Sequence, residues 1–139
     1  MTASEAKTVY RRKGSDFTRV VRDHLYSQFT GNAATQYGKR MEKKAIAAFE
    51  EAFAPLKVEP CGLIIHPNQS WLAASADGLI LTAHSHKLPI EHICRKKSLL
   101  EAMKSSAFCL CLTNGKYFLK ARHQYCYQMQ IQLACTQAE

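Results

Sequence analysis

Two acidic residues, Asp77 and Glu91, have the setting that metal chemistry needs. Asp77 stands at a bend between two apolar runs and is followed by Gly78, and Glu91 lies further along in an otherwise apolar segment. If the two segments pair as a hairpin, their carboxylates meet, and such a pair is stable only around a cation or a shared proton. Mg²⁺ suits this arrangement because it takes a few carboxylates together with waters and phosphate oxygens. The alternative for Asp77-Gly78 alone is an ordinary turn.

A third carboxylate, that of Glu42, lies in the clearest helical pattern of the sequence, over residues 34–53. With each residue placed at 100° steps, Glu42 projects between Phe49 and Phe53 on the apolar side of this helix. An unpaired carboxylate there is costly. We therefore expect Glu42 either to point inward towards a metal ion or to lie at the edge of the apolar face, within reach of solvent or a lysine.

The rest of the sequence predicts an α/β or α+β fold around these acidic residues. A short helix is expected over residues 15–27, and after Pro55 the periodicity becomes that of strands. The remaining predicted elements are strands over 58–65, 71–82 and 88–94, a helix over 95–105, a hairpin over 108–120 closed by Asn114-Gly115, and a last helix over 122–136. We expect one domain over residues 1–139, since this length suffices for one core and no linker is visible.

The last predicted helix carries glutamines at four-residue spacing, namely Gln124, Gln128 and Gln132. Residues at this spacing share one side of a helix. The polar seam that they form either faces the phosphates of a ligand or lies in solvent.

The net charge and the cysteines of the sequence indicate which partners and which cellular compartment to expect. Lys and Arg number 19 against 11 Asp and Glu, a net charge of +8. The basic clusters, residues 11–13, residues 95–97 and Lys116 with Lys120 and Arg122, favour polyanions, although such clusters are also common on solvated faces. The six cysteines show no CxxC pair, so we expect reduced thiols in an intracellular protein, nuclear in a eukaryote and otherwise cytoplasmic. No segment is long and apolar enough to predict a membrane span.

Five separated segments resemble the YqaJ viral recombinase and phage lambda exonuclease family of the PD-(D/E)xK nuclease superfamily. The segments are TQYG at 35–38 with Glu42, GLIIHP at 62–67, WLAASADGL at 71–79, IE at 90–91 with Cys94, and HQYCYQMQ at 123–130. Their order and spacing match over about residues 35–133. The resemblance implies a restriction-endonuclease-like core, with a central mixed sheet flanked by helices.

The resemblance also implies a role for each acidic residue. Asp77 and Glu91 would bind the metal ion, Glu42 would complete the acidic cluster, and the backbone carbonyl of His92 would be a further ligand. The metal ion would be Mg²⁺, with Mn²⁺ as the alternative. Gln128 would line the site.

Double-stranded DNA is the partner that the resemblance implies, in recombination or end processing. Arg12 and Ser15 resemble the family's entry for a 5′-phosphate, and Gln124 and Gln128 would face the DNA backbone. The family's chain normally continues with further strands after the glutamine-rich helix. We therefore expect a sheet truncated at the C-terminus, whose open edge would favour homo-oligomers.

One departure from the family bears directly on catalysis. The lysine of the family's Glu-x-Lys motif falls at position 93, where this sequence has Ile93. A second departure, Ala76 in place of a proline, leaves the neighbouring carboxylate unchanged. The sequence therefore predicts a metal-dependent DNA exonuclease-like domain with impaired cleavage, or alternatively a non-catalytic DNA-binding module of the same fold. A purely structural domain would keep the three carboxylates far apart.

Overall fold

The structure is a computed structural model, and it describes residues 3, 6–10, 14, 16–26, 31–82, 87–94 and 96–138. Its helices are α1 (Ala6–Tyr10), α2 (Thr18–Tyr26), α3 (Ala33–Ala52), α4 (Leu99–Met103) and α5 (Gln124–Thr136). Its strands are β1 (Val58–Glu59), β2 (Ile64–Ile65), β3 (Ala73–Ala74), β4 (Gly78–Leu81), β5 (Lys87–Ile90), β6 (Leu110–Thr113) and β7 (Lys116–Leu119). The predicted mixture of helices and strands is confirmed.

The long helix α3 forms where the sequence predicts it. Asn32 caps its start, since the Asn32 side chain accepts a hydrogen bond of 2.9 Å from the backbone N–H of Thr35. At the other end, Glu50 accepts hydrogen bonds from the backbone N–H of Val58 at 2.9 Å and from Lys57 Nζ at 3.0 Å. The bond from Val58 and the Lys57 ammonium lower the pKa of Glu50. Glu50 thus ties the last turn of α3 to β1.

The described strands form three small antiparallel sheets and not the single mixed sheet that we expected. Strands β1, β4 and β5 lie side by side in the order β1-β4-β5, while β2 pairs with β3 and β6 pairs with β7. Two of the predicted strands are interrupted. Pro60 has no N–H to donate, and it separates β1 from β2. The bend at Ser75 to Asp77 separates β3 from β4.

The helix α5 connects two of these sheets, because it packs against β2 and β3 of one and β5 of another, as well as against α1. One apolar cluster under α5 contains Leu72, Ala74 and Cys135. A second cluster, formed by Ala102, Phe108 and Cys109, joins α4 to the β6–β7 hairpin.

The cysteines and the second hairpin follow the sequence predictions. All six cysteines are free thiols, and Cys109 is fully buried, where a cysteine serves as a small apolar residue. Asn114 and Gly115 join β6 to β7 with φ angles of 50° and 72°, which are the positive values that a tight two-residue hairpin turn requires. Among the described residues, no helix is long and apolar enough to cross a membrane.

At Gly78, the β1-β4-β5 sheet has no room for a side chain. A Cβ atom there would collide with Val58 Cγ1 and would lie 3.2 Å from the carbonyl oxygen of Glu59, both in β1. The absence of a side chain at Gly78 therefore allows β1 and β4 to pair, and Asp77 directly precedes this residue.

We expect Gly78→Ala to lower the free energy of unfolding by about 1–3 kcal/mol, the usual cost of overpacking. Urea denaturation measures this change. Gly62→Ala is the matched control, since a Cβ atom at Gly62 meets nothing within 4 Å. An equal loss of stability in both variants would contradict the close approach of β1 to Gly78.

Candidate metal-binding active site

The β4–β5 hairpin brings Asp77 and Glu91 to the same end of the sheet. Gly78 pairs with Ile90 in the antiparallel register, so Asp77 directly precedes β4 where Glu91 directly follows β5. The backbone N–H of Asp77 donates a hydrogen bond of 3.1 Å to the carbonyl oxygen of Ile90. The hairpin that the sequence predicts for these two residues is therefore confirmed. The prediction that the second strand continues to Cys94 was wrong, because β5 ends at Ile90 and the chain leaves the sheet there.

Asp77 is held on one side by His92. The carboxylate oxygen Oδ2 of Asp77 accepts a hydrogen bond of 2.7 Å from the backbone N–H of His92. The imidazole Nδ1 of the same histidine lies 3.5 Å from that oxygen. Both contacts involve Oδ2, so the other oxygen of the carboxylate, Oδ1, is the one left for a ligand.

Glu91 is held by the glutamines of α5. Gln132 Nε2 donates a short hydrogen bond to Glu91 Oε1 and a second one of 3.1 Å to the carbonyl oxygen of Ser75. Burial raises the pKa of Glu91, and the nearby charge of Asp77 raises it further. Hydrogen bonds from Gln132 and Gln128, and the proximity of His92, act in the opposite direction. Burial of the carboxylate is thus the largest cause of the raised pKa of Glu91.

The polar seam of α5 therefore faces the acidic pair over most of its length. Gln132 is only 1% exposed, and Gln128 is half-buried and bonds to Glu91. Gln124, at the start of the helix, is exposed, so the alternative of a solvated seam holds for this residue alone. Sequence reasoning placed Gln132 in the seam but did not assign it to the site. The four-residue spacing could have assigned Gln132 to the site, because Gln132 lies one helical turn beyond Gln128.

Glu42 does not join a metal-holding group in this structure. Among the described residues, no three histidine, cysteine, aspartate or glutamate side chains are placed to hold a metal ion. Glu42 is half-buried on α3, a helix that contains no buried residue. The contribution of Glu42 to a metal site remains a prediction.

The chemistry of the remaining donors still fits a hard divalent cation. Asp77 and Glu91 offer carboxylate oxygens, which Mg²⁺ and Mn²⁺ prefer. The positive charge of a cation would offset the two effects that raise the pKa of Glu91, namely burial and the nearby charge of Asp77. Mg²⁺ keeps several of its waters, so it needs only one or two protein carboxylates. The two-carboxylate end of the hairpin is sufficient for such an ion.

Ile93 lines two cavities beside α3. The side chain is 37% exposed. It lines a cavity of about 390 Å³ between α3 and α4 and a larger one of about 780 Å³ near the first turns of α3. Lys97 lines both cavities, and Lys96 lines the larger one. Lysine side chains therefore reach the cavities that Ile93 lines, although position 93 itself is apolar.

Several predicted DNA contacts lie outside the described residues. These are Arg12 and Ser15, together with Arg11, Lys13 and Arg95 of the basic clusters. Within the described part of the chain, Lys96, Lys97, Lys116 and Arg122 are exposed. Lys120 is half-buried and donates a hydrogen bond of 2.9 Å from Nζ to the carbonyl oxygen of Ser106.

Comparison with known proteins identifies the family. The model of the YqaJ-like viral recombinase domain matches residues 1–139. The chain belongs to this family. The crystal structure of LHK-Exo in complex with dAMP superposes on this YqaJ-like domain with a TM-score of 0.63 and 26% sequence identity, covering 99% of this chain. The YqaJ-like domain spans 64% of the LHK-Exo chain. No curated protein matches the sequence significantly.

These two comparisons confirm the resemblance and the fold class that it implied. The YqaJ-like domain has the mixed α and β fold of a nuclease of the restriction-endonuclease-like type. Asp77 and Glu91 lie together within the matched region.

The raised pKa of Glu91 predicts how stability depends on pH. The folded domain holds this proton more tightly than the unfolded chain, so the contribution of Glu91 to stability is fully present below the ordinary pKa of 4.5 and is lost as pH rises through the raised value. We expect the stability of Glu91→Gln, measured by urea denaturation with a chelator present, not to show this fall with rising pH. The difference in free energy of unfolding between variant and wild type should grow with pH above 4.5. Parallel pH profiles would contradict the burial of an ionised Glu91.

Proposed function

We propose that this YqaJ-like domain is a divalent-metal-dependent DNA exonuclease-like domain with slow cleavage. It would act on the phosphodiester bonds of double-stranded DNA, in recombination or end processing. The observation that carries the proposal is the meeting of Asp77 and Glu91 at one end of the β4–β5 hairpin. The exonuclease fold of the solved neighbour supports the same reaction class.

Asp77 and Glu91 would hold the cation, Mg²⁺ or Mn²⁺, with the backbone carbonyl of His92 as a further oxygen donor. When bound, such an ion activates a water molecule and offsets the charge that develops on the phosphoryl oxygens. Glu42 would contribute if the first half of α3 moved closer to the hairpin on binding.

The residues around the carboxylates keep them oriented. Gln132 fixes Glu91 Oε1 and the carbonyl oxygen of Ser75 at once, so it links the acidic residue to the bend that precedes Asp77. Gln128 bonds to Glu91 one turn earlier on α5. Their amide groups carry no charge, and therefore they restrain Glu91 without replacing the cation.

Ile93 limits catalysis in this proposal. A lysine in the Glu-x-Lys motif places an ammonium group beside the reacting phosphate, and a preorganised charged donor of this kind contributes about 10²- to 10³-fold in rate. Isoleucine has no group that can donate a hydrogen bond or carry charge. We therefore expect metal binding and DNA binding to persist while cleavage is slow.

DNA is the polymer that the charge of the domain favours. The chain has a net charge of +8, and the exposed Lys96 and Lys97 lie at the cavity that His92 and Ile93 also line. Phosphate groups near the acidic pair would therefore meet compensating positive charge. A second candidate, a non-catalytic DNA-binding module, is favoured by Ile93 alone.

Cleavage of linear duplex DNA in the presence of Mg²⁺ tests the proposal. We expect Ile93→Lys to cleave about 10²- to 10³-fold faster than the wild type. Ile65→Lys is the matched control, since Ile65 is an exposed isoleucine of β2 on which a lysine adds the same charge. The double variant Ile93→Lys with Asp77→Asn should lose the gain.

Two results would contradict parts of this proposal. Wild-type cleavage as fast as that of Ile93→Lys would show that another group supplies the charge, and Lys96→Ala and Lys97→Ala would then identify it. No cleavage by Ile93→Lys, with DNA binding intact, would favour the non-catalytic module.

A further inference from the structure

We propose that the imidazole of His92 is a positioning group for Asp77, which turns the free oxygen of that carboxylate towards the cation. This inference rests on the proposed metal site and deepens it. It concerns the side chain of His92, whereas the family resemblance assigns a role only to the backbone carbonyl of this residue.

The geometry separates two contributions of His92 to Asp77. The backbone N–H donates to Asp77 Oδ2 at 2.7 Å, and any residue at position 92 other than proline could supply this bond. The ring adds a second approach to the same oxygen, from Nδ1 at 3.5 Å. With the ring proton on Nδ1, both approaches would favour the same rotation of the carboxylate, in which Oδ2 faces His92.

Burial makes the ring an active partner of Asp77. The His92 side chain is only 8% exposed. Within the described residues, neither ring nitrogen has a hydrogen-bond partner. Burying such polar atoms costs free energy unless a neighbouring group compensates, and the Asp77 carboxylate is the acceptor beside Nδ1. The proton of a neutral ring is therefore best placed on Nδ1, since a lone pair there would face the negative oxygen.

The His92 ring contacts Asp77 from the side opposite the proposed metal ion, as groups that orient a metal-binding carboxylate do. Groups that hold a ligating carboxylate from behind orient it, and their loss typically lowers metal affinity about 10- to 100-fold. At a site with two described carboxylates, the orientation of each one has a large effect on affinity. His92 thus does for Asp77 what Gln132 does for Glu91.

Binding of Mn²⁺ to the domain, followed by electron paramagnetic resonance, tests this role without any DNA or turnover. Three substitutions separate the ring from the backbone. His92→Leu removes both ring nitrogens, His92→Asn keeps an N–H near the place of Nδ1, and His92→Gln moves it to the place of Nε2. His66→Leu is the matched control, because His66 is a half-buried histidine whose Nδ1 accepts a bond from the backbone N–H of Asn68.

We expect His92→Leu to bind Mn²⁺ about 10- to 100-fold more weakly than the wild type. His92→Asn should keep most of the affinity, His92→Gln should lose it, and His66→Leu should bind like the wild type. Thermal unfolding of each variant shows whether the fold is intact. If His92→Leu does not fold, the comparison of the two amide variants decides the question.

The outcomes distinguish this inference from the proposed function. Wild-type affinity in His92→Leu, or equal losses in His92→Asn and His92→Gln, would overturn the role of Nδ1 and leave the metal site standing. A wild-type domain that binds no Mn²⁺ would overturn the metal site, and the role of His92 with it.

Discussion

The repulsion between two carboxylates is the constraint on which the rest of this site depends. The antiparallel register of β4 and β5 places Asp77 and Glu91 together, and the hairpin leaves no freedom to separate them. Burial raises the cost of ionising Glu91, and the like charge of Asp77 raises it further. Among the described residues, the Glu91 carboxylate accepts a hydrogen bond from the neutral amide of Gln132. A cation bound there, as proposed, would offset this negative charge.

The parts of the fold that surround the hairpin serve to hold this arrangement. Gly78 lets β1 approach β4 closely, so the bend at Asp77 rests on a paired strand. Across the sheets lies α5, and its buried Gln132 joins Glu91 to the backbone at Ser75. A leucine at this position would pack as well and would leave both oxygens without a donor. The apolar core of the domain is small, and one of its most deeply buried side chains is this polar one.

The local sequence pattern predicted the individual helices and strands better than it predicted how they pack together. Helix α3 and the hairpin turn at Asn114 follow from residues close in sequence, and the structure confirms both. The pairing of Asp77 with Glu91 was also accessible, since a short connection favours a hairpin. The division into three small sheets could not be predicted from the sequence, because it depends on which strand edges meet in space. Likewise, Gln132 could be placed on a helical stripe from the sequence, but its burial against Glu91 depends on the packing of α5.

Calorimetric titration of the domain with Mg²⁺ tests the central claim, that Asp77 and Glu91 form a cation site. We expect saturable binding to the wild type and its loss in Asp77→Asn, which removes one charge and keeps the shape of the side chain. Asp23→Asn is the matched control, because Asp23 lies exposed on α2 and pairs with Arg19 at 3.7 Å. This variant should bind Mg²⁺ like the wild type. Equal Mg²⁺ affinity in Asp77→Asn and the wild type would show that Asp77 is not part of a cation site.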